Sequence, residues 1–81
     1  MAEEDSLLAS EEEMFDEPIM GQIRGTSVNI RSGPATSNRL VVRLDGGTEV
    51  HVIARSGEWY FIGRDDTYGW VNRDKLRLPA A

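Results

Sequence analysis

The feature that most limits the fold of this chain is a series of short alternating segments that begins at Gly21. Apolar and polar residues alternate there with the period of two that directs successive side chains to opposite faces of a β-strand. Turn residues separate the segments, so we predict six strands, at residues 22–24, 28–31, 40–44, 48–54, 58–63 and 68–72. Six short strands at this spacing are typical of a small all-β barrel or sandwich.

Two turns allow strand pairing to be predicted. Asp45-Gly46-Gly47 has the composition of a tight hairpin and is predicted to join two paired strands. A four-residue loop at residues 64–67 would place Gly63 opposite Tyr68. In that register one face carries Tyr60, Ile62 and Val71, and the other face carries Trp59, Phe61, Tyr68 and Trp70. The alternation predicts further core positions at Leu40, Val42, Leu44, Val50 and Val52.

The first 20 residues differ from the rest in charge. They carry eight acidic residues and no Lys or Arg, whereas residues 21–81 carry nine basic and six acidic residues. An acidic arm therefore precedes a mildly basic body, a pattern associated with interaction tails. The arm is predicted to be mostly disordered, or to form a short helix that begins with the capping box Ser10-Glu11-Glu12-Glu13 and ends by Pro18. We divide the chain into an arm (1–20), a barrel (21–78) and a tail (79–81).

The sequence offers little chemistry for catalysis or metal binding. It contains no cysteine, and its one histidine, His51, lies within a predicted strand. Asp65-Asp66 are explained as turn residues, and the acidic runs lack the ligand spacing of a calcium loop. We therefore predict a protein that is not an enzyme and that uses neither a metal nor a cofactor.

Charge and hydropathy also limit the partners and the compartment. The body's net charge of +3 is modest and the arm would compete with phosphate, which argues against nucleic-acid binding. No apolar run approaches the roughly 18–20 residues that span a bilayer, so membrane insertion is not expected. The acidic amino terminus is unlike a signal peptide. The expected location is the cytoplasm if the chain is complete, or the cell envelope if it is a fragment of an exported protein.

The order of motifs is similar to that of a known family. Residues 28–34, VNIRSGP, resemble the L-N-V-R-S-G-P opening of bacterial SH3-like (SH3b) domains, and residues 40–44, 47–52, 59–62 and 68–71 match later landmarks. The resemblance implies a small, partly open SH3-like barrel. It also implies that Gly33-Pro34 turn the chain into a long loop at residues 33–39, which corresponds to the RT loop.

Two functions follow as hypotheses. The resemblance implies a non-catalytic binding module for a peptide ligand, with cell-wall peptide as one candidate. Its predicted ligand-binding residues are Trp59, Tyr60, Phe61, Tyr68 and Trp70, with Asn29 and Arg31 at the rim. The alternative is an intracellular or phage interaction protein whose arm docks on its own barrel, or on a neighbouring copy in an assembly. The predicted arm contacts are Met14, Phe15, Ile19 and Met20.

Overall fold

The computed structural model describes residues 12–79, which form one antiparallel sheet of seven strands. The strands are β1 (Glu12–Ile23), β2 (Val28–Arg31), β3 (Leu40–Leu44), β4 (Glu49–Ser56), β5 (Trp59–Arg64), β6 (Thr67–Asn72) and β7 (Leu76–Arg77), with one turn of 3₁₀ helix at Arg73–Lys75. Their order is β3-β2-β6-β5-β4-β1-β7, and the two end strands do not pair within residues 12–79. The prediction of an all-β, partly open barrel is confirmed; β7 and the 3₁₀ turn were not predicted.

One face of the curved sheet encloses a small aliphatic core. Its buried members come from six strands and are Ile23, Val28, Ile30, Val50, Val52, Ile62, Val71 and Leu76. The predicted core positions Val50 and Val52 are confirmed. Leu40, Val42 and Leu44 are half-buried, and Val42 and Leu44 pack against this core. All three are half-buried rather than buried because β3 is the last strand of the sheet and is covered on one side only.

The β5–β6 hairpin has the predicted register. Gly63 lies opposite Tyr68, and Phe61 lies opposite Trp70. The connecting loop is shorter than predicted because Arg64 and Thr67 also pair, which leaves a two-residue turn. Asp65 adopts a φ of 55° in this turn, a left-handed conformation that aspartate tolerates better than most residues.

The prediction of a hairpin at Asp45-Gly46-Gly47 is wrong. β3 pairs only with β2, while β4 pairs with β5 and β1, so this turn joins strands that are not neighbours. The Gly47 N–H donates to the Ile23 carbonyl at 2.7 Å, and Gly46 packs against the backbone of Gly25. Gly46 is needed for this close backbone contact, which the local turn composition does not reveal, and Gly47 has a φ of 90° that favours glycine.

The helix predicted in the acidic arm does not form over residues 12–20, which belong to β1; residues 1–11 lie outside the described part of the chain. β1 pairs with β4 on both sides of a register shift between Met14 and Ile19. Pro18, which has no N–H to donate, lies within this shift. Phe15 and Ile19 pack against the core. Tertiary burial and pairing with β4 therefore override the helical pattern.

Candidate ligand-binding face

A row of paired residues crosses four neighbouring strands on the face opposite the core. Met14 of β1 pairs with Ala54 of β4, Ala54 pairs with Phe61 of β5, and Phe61 pairs with Trp70 of β6. Directly opposite residues of an antiparallel pair point to the same side of the sheet. We call this row of four residues the outer row. Its small member, Ala54, separates the methionine from the two aromatic side chains.

The aromatic rings of β5 and β6 contact one another on this outer face. The ring centroids of Phe61 and Trp70 are 5.2 Å apart at an interplanar angle of 45°. Phe61 and Tyr68 are stacked at 6.0 Å and 19°. Phe61 is thus the central member of a three-ring cluster whose spacings fall within the range of favourable aromatic pairs. Phe61 and Trp70 are half-buried, and Tyr68 is 54% exposed.

An open groove of about 490 Å³ lies over the outer row, and we call it the aromatic groove. The outer row lines it together with Pro34 and with polar residues of β1 and β4, namely Glu12, Glu13, Arg55 and Ser56. The Arg55 Nε lies 3.5 Å from the Glu13 Oε1, and the Ser56 hydroxyl donates to the Glu12 Oε2 at 3.4 Å. The groove therefore combines an apolar floor with a rim that carries both charges.

Pro34 reaches the groove because the loop between β2 and β3 is held by several hydrogen bonds. The Ser32 N–H donates to the Arg39 carbonyl at 2.8 Å, and the Arg31 guanidinium donates to the Asn38 carbonyl at 3.0 Å. Gly33 is buried in this loop, where a Cβ atom would lie 2.6 Å from the Asn38 Nδ2. A larger residue at position 33 would therefore displace the Asn38 side chain, whereas the φ of Gly33 is not in the left-handed region. The turn is a structural corner that also supplies one wall of the groove.

The structure divides the seven residues predicted to contact a ligand. Phe61, Tyr68 and Trp70 form the aromatic cluster, whereas Tyr60 points to the opposite face and packs against the core. The remaining three, Trp59, Asn29 and Arg31, line a second groove of about 300 Å³.

Of the three predicted residues that line the second groove, Asn29 and Arg31 already have hydrogen-bond partners within the domain. The Asn29 Oδ1 accepts a hydrogen bond from the Arg43 Nε at 3.1 Å. Arg31 is half-buried and holds the β2–β3 loop through Asn38. Their hydrogen bonds give both residues a structural role in addition to the ligand contact predicted for them.

The four residues predicted as arm contacts also lie at different places in the structure. Met14 lines the aromatic groove and is 76% exposed. Phe15 and Ile19 pack against the core on the other face. Met20 is exposed and lines a separate depression beside Leu78.

Sequence reasoning missed the contributions of Pro34, Ala54 and Arg55 to the groove. Pro34 was interpreted only as a turn residue, although its place in the loop next to the aromatic face was a usable signal. Ala54 and Arg55 follow a register shift between Val52 and Ala54 that changes which β4 residues face outward. A β-bulge of this kind has no clear signature in the local sequence, because it depends on the partner strands.

Within residues 12–79, no group of three or more His, Cys, Asp or Glu residues is arranged to hold a metal ion. His51 is exposed on β4 between its partners Met20 and Gly63. The same part of the chain contains no helix long and apolar enough to cross a membrane.

Comparison with known proteins agrees with the topology. The family model for the bacterial SH3 domain matches residues 26–76, which is more than half of the chain and includes β2 to β6. No match was found among curated proteins. The matching family consists of binding domains that are generally non-catalytic. β1 lies before the matched residues. The chain belongs to the bacterial SH3 domain family.

Proposed function

We propose that this protein is a non-catalytic module that binds an extended peptide in the aromatic groove. The observation that carries the proposal is the outer row, in which Met14, Phe61 and Trp70 are aligned across neighbouring strands. Aromatic side chains offer large contact area at a low cost in conformational entropy. Pro34 closes one side of the groove, which favours a narrow, extended ligand.

The rim residues limit the polar groups that such a peptide presents. Arg55 can pair with a ligand carboxylate, and Glu12 can accept hydrogen bonds from ligand amides. Peptides of the bacterial cell wall carry both kinds of group beside small apolar side chains. Together with membership of the bacterial SH3 domain family, this chemistry supports cell-wall peptide as the first ligand to test.

The test is co-sedimentation of the full chain with purified bacterial sacculi. We expect the double variant Phe61→Ala/Trp70→Ala to lose binding while its circular dichroism spectrum remains that of a folded domain. Trp59→Ala is the matched control, because Trp59 is a half-buried aromatic residue of the same hairpin that lines the second groove. Undiminished binding by the double variant, or absence of binding to sacculi and to a library of extended peptides, would contradict the proposal.

A second candidate function is a protein–protein interaction that the acidic arm regulates in cis. It is favoured by Met14, which borders the aromatic groove while remaining 76% exposed. If this side chain competes with the ligand, Met14→Ser will increase the affinity; if it only lines the groove, the same change will weaken binding. An affinity that does not change, measured by titration calorimetry with a peptide that binds the wild-type chain, excludes regulation through Met14.

A further inference from the structure

Besides the outer side of the two-residue end strand β7, two stretches of strand edge have no pairing strand within residues 12–79. One is the outer side of β3, which is hydrogen-bonded only to β2. The other is the outer side of β1 over residues 12–16, because β7 pairs with β1 only at Gln22 and Ile23. Unpaired N–H and C=O groups along an edge are a ready template for another strand.

The exposed side chains of these two edges have opposite charge patterns. On the β3 side, Arg39, Val41 and Arg43 are exposed at alternate positions. On the β1 side, Glu12, Met14 and Asp16 are exposed at alternate positions. One edge therefore reads as basic, apolar, basic, and the other reads as acidic, apolar, acidic.

One antiparallel register satisfies all three positions. With Val41 of one copy opposite Met14 of another, Arg39 lies opposite Asp16 and Arg43 lies opposite Glu12. The two apolar partners are 41% and 76% exposed in the single chain. Cross-strand pairs of opposite charge and of apolar side chains stabilise antiparallel sheets, whereas like charges directly opposite destabilise them.

The same register is consistent on the other face. It places Leu40 opposite Phe15, and both side chains are half-buried. Phe15 packs against the core of its own domain, so the inner apolar layer would continue across the junction. The Nε of Arg43 is used by Asn29, and its terminal nitrogens have no hydrogen bond to residues 12–79, so they are available to Glu12.

Pairing between identical edges is disfavoured by the same charges. Two β3 edges would bring arginines opposite one another, and two β1 edges would bring carboxylates opposite one another. In both cases the like charges repel. The charge pattern therefore selects the unlike pair.

We propose that copies of this chain associate head to tail, with β3 of one copy pairing with residues 12–16 of the next. The interface is heterologous, because different surfaces meet, so it generates a ring or an open filament rather than a two-fold dimer. The partner is thus a second copy of the chain, and the association does not depend on a peptide ligand.

Sedimentation velocity of the full chain over a concentration series tests this inference. We expect the weight-average mass to at least double from the 9.1 kDa of one chain as the concentration rises. Because the pairing is electrostatic at two of three positions, we expect it to weaken in about 1 M NaCl, where the Debye length is roughly 3 Å. A mass that stays at one chain at every concentration would overturn the proposal.

Charge reversal gives the sharper experiment. We expect Glu12→Arg/Asp16→Arg and Arg39→Glu/Arg43→Glu each to be monomeric alone, because both edges of either variant then carry the same sign. An equimolar mixture should associate again, since each junction joins opposite charges. Arg24→Glu/Arg73→Glu is the matched control, with two exposed arginines reversed outside β1 and β3, and it should retain association.

A further substitution protects the test against misfolding of a double variant. Val41→Lys places a charge opposite Met14 without altering the core, and we expect it to abolish association with an unchanged circular dichroism spectrum. Association that persists in Val41→Lys, or a mixture of the two charge-reversed variants that stays monomeric, would overturn the assigned register. Peptide binding in the aromatic groove is measured separately by sacculus co-sedimentation, so either proposal can fail alone.

Discussion

The two faces of the β5–β6 hairpin share the same strands and the same alternation but differ sharply in burial. On the inner face Ile62 and Val71 are 2% and 0% exposed. On the outer face Phe61 and Trp70 are only half-buried, and Tyr68 is 54% exposed. The inner face thus buries branched aliphatic side chains in the core, while the outer face exposes large rings to solvent.

This difference separates residues that hold the fold together from residues available to a partner. A domain of this size buries a modest fraction of its unfolded surface, so each buried aliphatic residue carries a large share of the stability. A half-exposed aromatic cluster gains less from burial and retains area for a ligand. The comparison predicts a graded series of effects on the free energy of unfolding.

The largest effect is expected at the centre of the inner face. Ile62→Ala should lower the free energy of unfolding by about 2–5 kcal/mol, because it removes buried methyl groups and leaves a cavity. Urea denaturation followed by tryptophan fluorescence measures this change. Val41→Ala is the control, since the exposed side chain should change stability by no more than about 0.5 kcal/mol. Equal effects of the two substitutions would refute the assignment of the core.

Two glycines of the hairpin sharpen the comparison between faces. A Cβ at Gly69 would lie 2.5 Å from the Ile30 Cγ2 and 2.9 Å from the Arg31 carbonyl oxygen, so Gly69→Ala forces β6 away from β2. We expect a loss of about 1–3 kcal/mol from overpacking.

The matched variant is Gly63→Ala on the outer face. A Cβ there would lie 2.7 Å from the Tyr68 Cε1, but this exposed ring can rotate into solvent. Gly63→Ala should therefore lower the free energy of unfolding less than Gly69→Ala does in the same urea denaturation experiment. The reverse order would show that the ring of Tyr68 is held more firmly than its exposure indicates.

A smaller effect is expected for the central ring of the outer face. Phe61→Leu keeps an apolar side chain but removes both ring contacts. This change should lower the free energy of unfolding by about 0.5–1.5 kcal/mol. The proton chemical shifts of the Tyr68 and Trp70 rings provide an independent measurement, because ring-current shifts from Phe61 will disappear. Unchanged shifts at both rings would contradict the three-ring cluster.

The smallest effect is expected at the rim of the aromatic groove. The Glu13 and Arg55 side chains are 57% and 29% exposed, so water screens their ion pair. Glu13→Gln should therefore change stability by less than about 1 kcal/mol, and the difference should shrink as salt is added. A salt-independent loss as large as that of Gly69→Ala would mean that this pair anchors β1.

Sequence pattern predicted most of the sheet because strand alternation and turn residues are local signals. The bounds of β2 and β3 agree with the predicted segments, and the β5–β6 register is confirmed pair by pair. The aromatic side chains Phe61, Tyr68 and Trp70 were placed on one face for the same reason. Alternation decides the face of a residue once its strand is known.

Local signals failed where a distant strand decides the outcome. The sequence around Ser10 has the capping pattern of a helix, but residues 12–20 are a strand because β4 offers a partner and the core accepts Phe15 and Ile19. Asp45-Gly46-Gly47 has the composition of a hairpin, yet it joins strands at separate places in the sheet. In both cases long-range pairing is stronger than the local preference.

The sequence by itself determined the all-β class, the bacterial SH3 family, the charge contrast between arm and body, and the aromatic face of the last hairpin. Only the tertiary structure brought Met14, Ala54 and Pro34 beside Phe61 and Trp70. It also decided that β3 and residues 12–16 of β1 have unpaired outer edges with opposite charges. Alternation and turn chemistry act between neighbours in the chain, whereas strand order and β-bulges depend on which surfaces are buried together.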